Sequence, residues 1–154
     1  MPGYGIEPGE DGLLPWSWAV ERLSTSHDYW LATTRPDGRP HVMPVWAMWH
    51  DTALWFSCSR DSRKAVNLRT EPRCVITTDN PREPVVVEGV AAAVTDPATL
   101  RLILDLENAK YHTTYGLDMF DPEINPCFRV RPARVFGLLE SAFISSPTRW
   151  ILDG

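Results

Sequence analysis

Side chains suited to binding an anion occur together in the middle of the sequence. Arg63 and Lys64 occupy the first turn of a predicted helix, where the positive end of the helix dipole makes a cation mildly unfavourable. An anion between them removes this conflict, because free backbone N–H groups at a helix start already attract negative charge. Nearby hydroxyl and amide groups would add donors. We therefore predict a phosphate site formed by Ser57, Ser59, Ser62, Arg63, Lys64 and Asn67.

The same residues also fit a solvated, basic helix start without a ligand. No glycine-rich loop accompanies the cations, which argues against a P-loop NTPase and against a Rossmann-type dinucleotide-binding fold. The histidines show no metal-binding spacing, and no serine or cysteine has the surroundings of a nucleophile. We therefore predict no metal site and identify no catalytic residue.

The elements that must position these residues are mostly strands. The patterns predict helices at Pro15–Ser26, Asp61–Thr70 and Pro97–Tyr111. They predict strands at Tyr29–Arg35, His41–His50, Ala53–Ser57, Arg73–Asp79 and Val85–Thr95, and a last hairpin of Cys127–Arg131 and Arg134–Phe143 around Pro132. Six to seven strands and about three peripheral helices predict a mainly β fold, built as an antiparallel barrel.

The predicted strand His41–His50 is apolar on both faces. Val42 and Trp46 alternate with Met43 and Val45 along it. A strand of this kind must be covered on both sides, one side by the barrel core and the other by a ligand, a helix or another subunit. Pro44 cannot donate to a ladder, so it predicts an edge position or a bulge.

The composition is that of one ordinary domain. The chain has 154 residues, is 44% hydrophobic and carries a formal net charge of −5, with no basic stripe that would suit nucleic acid. No apolar run is long enough to span a membrane. Residues 1–14 are polar and rich in Gly and Pro, so we expect a flexible N-terminal arm before a single domain of residues 15–154. Three widely spaced cysteines predict free thiols and a cytoplasmic location.

Seven tryptophans are more than a core of this size needs. Some of them fit a tryptophan-rich core, and some fit an interface or a stack against a planar ligand, since indole offers a large rigid face with a polar edge. The sequence alone does not divide them between these roles.

Three segments in order resemble the flavin and deazaflavin oxidoreductases of the pyridoxamine-phosphate-oxidase-like superfamily, in particular its B-type subgroup. The segments are YWLATTRPDGRPHVMPVW, ALWFSCSRDSRKAVNLRTEPR and VVVEGVAAAVTD, and the resemblance extends from Trp16 to Trp150. It implies a split β-barrel that works as a homodimer, with FMN or coenzyme F-420 in a groove between the subunits. It also implies hydride transfer between that cofactor and a small planar or conjugated substrate.

The resemblance also implies which residues contact the cofactor. The ring would lie along His41, Met43, Pro44, Val45 and Trp46, the phosphate at Ser57, Ser59, Arg63, Lys64 and Asn67, and the closing residues Arg149 and Trp150 would reach the groove, from the partner chain where the subunits meet. The stretch WLATTRPDGRP resembles actinobacterial members and favours F-420 over FMN. A pyridoxamine-phosphate oxidase ends in Arg-Leu-x-Pro, whereas this chain ends in Thr-Arg-Trp-Ile-Leu-Asp-Gly, so vitamin B6 is not the expected substrate.

Two other functions fit the same fold. One is a non-catalytic flavin- or haem-binding or stress protein, and haem would require an axial histidine, for which His41 and His112 are the candidates. The other is a dimeric scaffold that has lost its ligand.

Overall fold

A computed structural model describes residues 11–152. Within this range the chain forms one antiparallel sheet of eight strands with three α-helices around it. The strands are β1 (Tyr29–Thr34), β2 (Pro40–Val45), β3 (Met48–His50), β4 (Ala53–Ser57), β5 (Arg73–Thr78), β6 (Val85–Val94), β7 (Cys127–Gly137) and β8 (Thr148–Ile151). The helices are α1 (Trp16–Thr25), α2 (Arg63–Thr70) and α3 (Pro97–Tyr111), and short 3₁₀ turns lie at Leu117–Phe120 and Glu140–Ala142.

The sheet is a curled half-barrel whose two end strands follow one another in the chain. The order is β2-β1-β5-β6-β7-β4-β3, and β8 pairs with β7 beside this path. No ladder joins β2 to β3 in the described residues, so the barrel is open between them. The chain crosses this opening at Trp46 and Ala47.

This topology corrects two predictions, one about a strand and one about a hairpin. The predicted single strand His41–His50 is in fact β2 and β3, at opposite ends of the sheet. The predicted hairpin at Pro132 is wrong, because Cys127–Gly137 is one continuous strand. Pro132 pairs with Gly89 and the next pair is Glu88 with Arg134, so the proline lies in a β-bulge that accommodates its missing N–H.

Gly89 makes this bulge possible. A Cβ at this position would lie 2.5 Å from the Arg131 carbonyl oxygen and 2.9 Å from Val130 Cγ1. Only a residue without a side chain lets β6 and β7 approach this closely.

Most tryptophans belong to the core. Leu31, Phe56, Ile76 and Val87 are among the fully buried residues of the main core between the sheet and helix α1. Four indoles pack around this core, namely Trp16, Trp18, Trp49 and Trp150. Trp55 lies in a second core under α3, together with Ile103, Leu104 and Phe120. Trp30 and Trp46 remain exposed, by 48% and 38%, so these two are available for a ligand or an interface.

The helix ends agree with their predicted caps. Asp96 accepts a hydrogen bond from the Thr99 N–H at the start of α3, and Ser62 caps α2. Helix α3 directs Leu100, Ile103 and Leu104 inward, as its spacing predicts. Within residues 11–152 no helix is both long and apolar enough to cross a membrane.

The predicted arm over residues 1–14 falls largely outside the described residues. Its last part is attached to the domain, because the Leu14 N–H donates to Thr148 Oγ1 at 2.9 Å.

Candidate functional site

Helix α2 begins with two cations and two unpaired N–H groups. The Ser62 hydroxyl accepts from the Ala65 N–H at 3.4 Å, which leaves the N–H groups of Arg63 and Lys64 without an acceptor among residues 11–152. The first turn contains no acidic residue. Neither side chain forms an ion pair with a carboxylate in that same range. This helix start therefore presents positive charge with no internal counter-ion.

His41 on β2 faces the same charges. Burial lowers the pKa of its imidazole below the usual value, and the positive charges of Arg35, Lys64 and Arg63 lower it further. His41 Nδ1 is buried and has no hydrogen-bond partner within the described chain. We call Arg35, Arg63 and Lys64 the cation cluster. With His41 they form a pocket of positive charge and unused donors, which suits a phosphate or another anion.

Arg35 is the member of this group that the sequence analysis missed. It precedes the turn Pro36–Arg39, where Gly38 adopts a φ of +86° and donates from its N–H to the Arg35 carbonyl oxygen at 2.8 Å. The neighbouring Asp37 is held by Arg39 in an ion pair of 2.8 Å. A cation immediately before a tight hairpin turn was the available signal, because such a turn returns the chain past its own first residue.

Strand β2 is an edge strand with different surroundings on its two faces. His41, Met43 and Val45 share the face that carries the cation cluster, and Pro40, Val42 and Pro44 share the other. Met43 is 45% exposed and Val42 is 51% exposed, so both faces present apolar surface to solvent. Val45 departs from the predicted ring contacts, because its side chain is buried in the main core.

The outer face of β2 continues into a cavity of the sheet. This groove of about 600 Å³ crosses β1, β5 and β6 and is lined by Ala32, Val75 and Val90, among others. Charged residues of both signs border it, namely Glu71, Arg73, Glu88 and Arg134. It lies on the face opposite His41, so it is separate from the cation cluster.

Trp46 continues from the end of β2 and stacks on helix α3. Its ring lies parallel to that of Tyr111, with centroids 4.2 Å apart, and His27 meets both rings edge-on. The extended chain from His41 to Trp46 spans roughly 16 Å. Strand β2 thus connects a cationic end to an aromatic end.

The other predicted phosphate residues lie near the start of α2 with different exposures. Ser57 ends β4 and is partly buried, whereas Ser59 is exposed in the loop that follows. Asn67 is fully buried, and its Nδ2 donates to Thr33 Oγ1 at 2.9 Å, which fixes α2 to β1. The Cys58 thiol lies beside Ser62, and burial raises its pKa, so it is a packed thiol.

Comparison with known proteins assigns the family. The family model described as pyridoxamine 5'-phosphate oxidase matches residues 19–138. The chain belongs to this family. Its structural neighbours share the split-barrel fold of pyridoxamine-phosphate-oxidase-like proteins, which confirms the resemblance found in the sequence.

Three solved structures illustrate this fold. The conserved hypothetical protein Rv2991 from Mycobacterium tuberculosis is 25% identical over 84% of this chain and 88% of its own, with a TM-score of 0.72. An F-420 reductase is 27% identical over 79% of this chain and 98% of its own, with a TM-score of 0.63. The haem storage protein HutZ from Vibrio cholerae is 20% identical over 76% of this chain and 86% of its own, with a TM-score of 0.62. Among curated proteins no match was found.

Arg149 and Trp150, which are predicted to close the cofactor site, lie away from the cation cluster of the same chain. Arg149 and Trp150 belong to β8, which pairs with the end of β7, and Trp150 packs edge-on against Trp16 with centroids 5.6 Å apart. Arg149 is exposed on a small cavity beside Phe136. No contact in the described part of one chain joins either residue to α2, so a role at the cofactor remains a prediction about a partner subunit.

The two histidines considered as haem ligands have charged or exposed surroundings. Residues 11–152 contain no group of His, Cys, Asp and Glu side chains that would hold a metal ion. His41 stands among cations, and His112 is exposed at the left-handed C-cap of α3.

Proposed function

We propose that this protein is an oxidoreductase that binds F-420 or FMN and transfers a hydride to or from a small planar or conjugated substrate. The observation that carries the proposal is the cation cluster beside His41 on an exposed apolar edge strand. A bound flavin or deazaflavin supplies the hydride chemistry, so the chain needs no nucleophile of its own.

The residues present fit the phosphate of such a cofactor. Arg63 and Lys64 have no counter-ion among residues 11–152, their N–H groups are free, and His41 Nδ1 has no partner there. A dianionic phosphate at the start of α2 would accept from its free N–H groups and pair with Arg63 and Lys64. Asn67 is proposed to act indirectly by holding α2 against β1 through Thr33.

The ring would be held by the apolar face of β2. Met43 and the Trp46–Tyr111 stack lie along the strand from the cation cluster, and Pro44 stiffens it between them. These side chains exclude water from one side of a planar ring and leave the other side for a substrate. The F-420 reductase among the structural neighbours supports F-420 over FMN.

A homodimer is part of the proposal. The outer face of β2 and the groove beside it expose Trp30, Val42 and Val90, each by nearly half. Acidic and basic residues alternate at the border, so the surface can pair with a second copy of itself. A partner bound there would then bring its Arg149 and Trp150 to the cofactor beside β2. The free thiols of Cys58, Cys74 and Cys127 support a cytoplasmic location.

The test is a binding titration of the purified protein with F-420 and separately with FMN, followed by cofactor emission and tryptophan quenching. We expect Lys64→Ala to weaken binding about 10- to 100-fold, since a hydrogen bond to a charged group contributes roughly 1.5–3 kcal/mol. Arg101→Ala, on the exposed side of α3, is the matched control and should bind as the wild type does.

Three results would contradict the proposal. Binding of neither cofactor would exclude the oxidoreductase function. Equal losses in Lys64→Ala and Arg101→Ala would show that the cation cluster is not the phosphate site. A Soret band on adding haem that disappears in His41→Ala or His112→Ala would favour the haem-binding alternative.

A further inference from the structure

The link between β2 and β3 is held by side chains of helix α3. Ala47 donates from its N–H to Tyr111 Oη at 3.0 Å, and its carbonyl oxygen accepts from Lys110 Nζ at 2.8 Å. The Tyr111 hydroxyl also lies 2.7 Å from the His27 carbonyl oxygen. No strand pairing crosses this opening in the described residues. The two α3 side chains therefore replace the missing ladder.

Lys110 is an unusual choice for a purely structural contact. Its Nζ is partly buried and also donates to Tyr29 Oη at 2.8 Å, and burial lowers its pKa to about 8, with the negative charges of Asp79 and Asp28 acting in the opposite direction. Burying an ammonium group is unfavourable unless it is fully hydrogen-bonded. Lys110 donates to Ala47 and to Tyr29, so it joins one backbone position of the link to both α3 and β1.

That backbone position is next to Trp46. Tyr111 contacts Trp46 through its ring and Ala47 through its hydroxyl, so one side chain fixes both residues of the link. Met43 and Val45 precede them on the same strand. A displacement at Ala47 must therefore move Trp46, which lies outside the ladder, whereas β2 itself is paired with β1 over its whole length, from Pro40 to Val45.

We propose that Lys110 and Tyr111 are positioning residues that set the position of Trp46 at the ring-binding side of the site, independently of the phosphate-binding side. This inference rests on the proposed function, because it concerns how the same cofactor would be held. It assigns to α3 a role that the cation cluster does not share.

The test separates the two ends with a pair of ligands. Riboflavin lacks the phosphate of FMN, so Lys64→Ala should weaken FMN only. We expect Lys110→Met to weaken FMN and riboflavin by the same factor, about tenfold, and Lys110→Arg to restore most of the affinity because it keeps a cationic donor. If only deazaflavins bind, the equivalent pair is F-420 and the deazaflavin that carries the ribityl chain without the phosphate.

Tyr111→Phe is the second variant, because it keeps the stack on Trp46 and removes only the hydroxyl. Amide hydrogen exchange at Ala47 should be faster in Tyr111→Phe and Lys110→Met, while Leu31 in β1 keeps its wild-type rate. If both ligands bind Lys110→Met as tightly as the wild type, the positioning role is wrong and the proposed function stands. If the wild type binds neither ligand pair, both the proposed function and the positioning role are wrong.

Discussion

The indole of Trp46 and the phenol ring of Tyr111 are nearly parallel, with an interplanar angle of 2° and centroids 4.2 Å apart. One residue belongs to the link that follows an exposed edge strand, and the other ends a helix that packs on the opposite side of the opening. The contact therefore joins two parts of the chain that share no backbone hydrogen-bond ladder in the described residues.

Removing this stack should destabilise the protein. Tyr111→Leu loses the aromatic contact and the hydroxyl bonds, and we expect about 2–4 kcal/mol less free energy of unfolding. Tyr111→Phe keeps the stack and should lose only about 1–3 kcal/mol, for the Ala47 and His27 groups left unpaired. Urea unfolding followed by tryptophan emission measures both. Equal losses in the two variants would mean that the stack itself contributes nothing.

The pKa of His41 should report the cation cluster directly. Arg35→Ala removes one of the positive charges that hold this pKa below its usual value, so the pKa should rise. Arg39→Ala is the matched control from the same hairpin, because Arg39 is paired with Asp37. Proton NMR titration of the His41 ring gives both values. Addition of FMN or F-420 should raise the pKa too, since a bound phosphate offsets the cations. An unchanged pKa of His41 in Arg35→Ala would show that Arg35 does not belong to the cation cluster.

Glu107 is a buried carboxyl group, 6% exposed, in the second core. Burial raises its pKa above 4.5. The folded state therefore holds the proton more tightly than the unfolded state, so its stabilising contribution is complete below pH 4.5 and is lost as the pH rises through the folded pKa. Glu107→Gln should accordingly raise the Tm at pH 7, and the difference should disappear at pH 4. Thermal unfolding of both proteins at pH 7 and pH 4 tests this prediction. A lower Tm of the variant at pH 7 would show that the buried Glu107 carboxylate does not destabilise the fold.

Gly89 should not tolerate a side chain. Gly89→Ala places a Cβ against the Arg131 carbonyl oxygen, which is backbone and cannot move aside without opening the ladder between β6 and β7. We expect a loss of about 2 kcal/mol or more in the free energy of unfolding. Ala133→Ser, at the exposed residue of the same bulge, should be nearly neutral. Similar stability of the two variants would show that the bulge relaxes.

Local signals in the sequence predicted most elements, but not the continuity of β7 or the placement of β2 and β3 at opposite ends of the sheet. Asp96 and Ser62 identify their helix starts because capping acts within three residues. Pro132 was mistaken for a turn because a proline in a strand and a proline in a hairpin look alike until the partner strand is known. Gly89, 43 residues away, is the partner that distinguishes them.

The candidate site was predictable where it depends on neighbouring residues, and not where it depends on the fold. Arg63 and Lys64 indicate an anion site because their positive charges lie at the positive end of the helix dipole. The hairpin turn after Arg35 is a local signal, but the position of that hairpin beside α2 depends on the fold of the whole sheet. The burial of Asn67 was also unpredictable, because its partner Thr33 lies in a different element.

Pro44 has a consequence for how this protein behaves in solution. A strand with apolar side chains on both faces and one unpaired edge is the kind of segment that recruits other chains into growing β-structure. The proline leaves one position of β2 without an N–H and so interrupts the continuous row of donors that such growth requires. The apolar side chains of β2 therefore stay exposed, while the missing N–H makes its free edge a poor template for the addition of further strands.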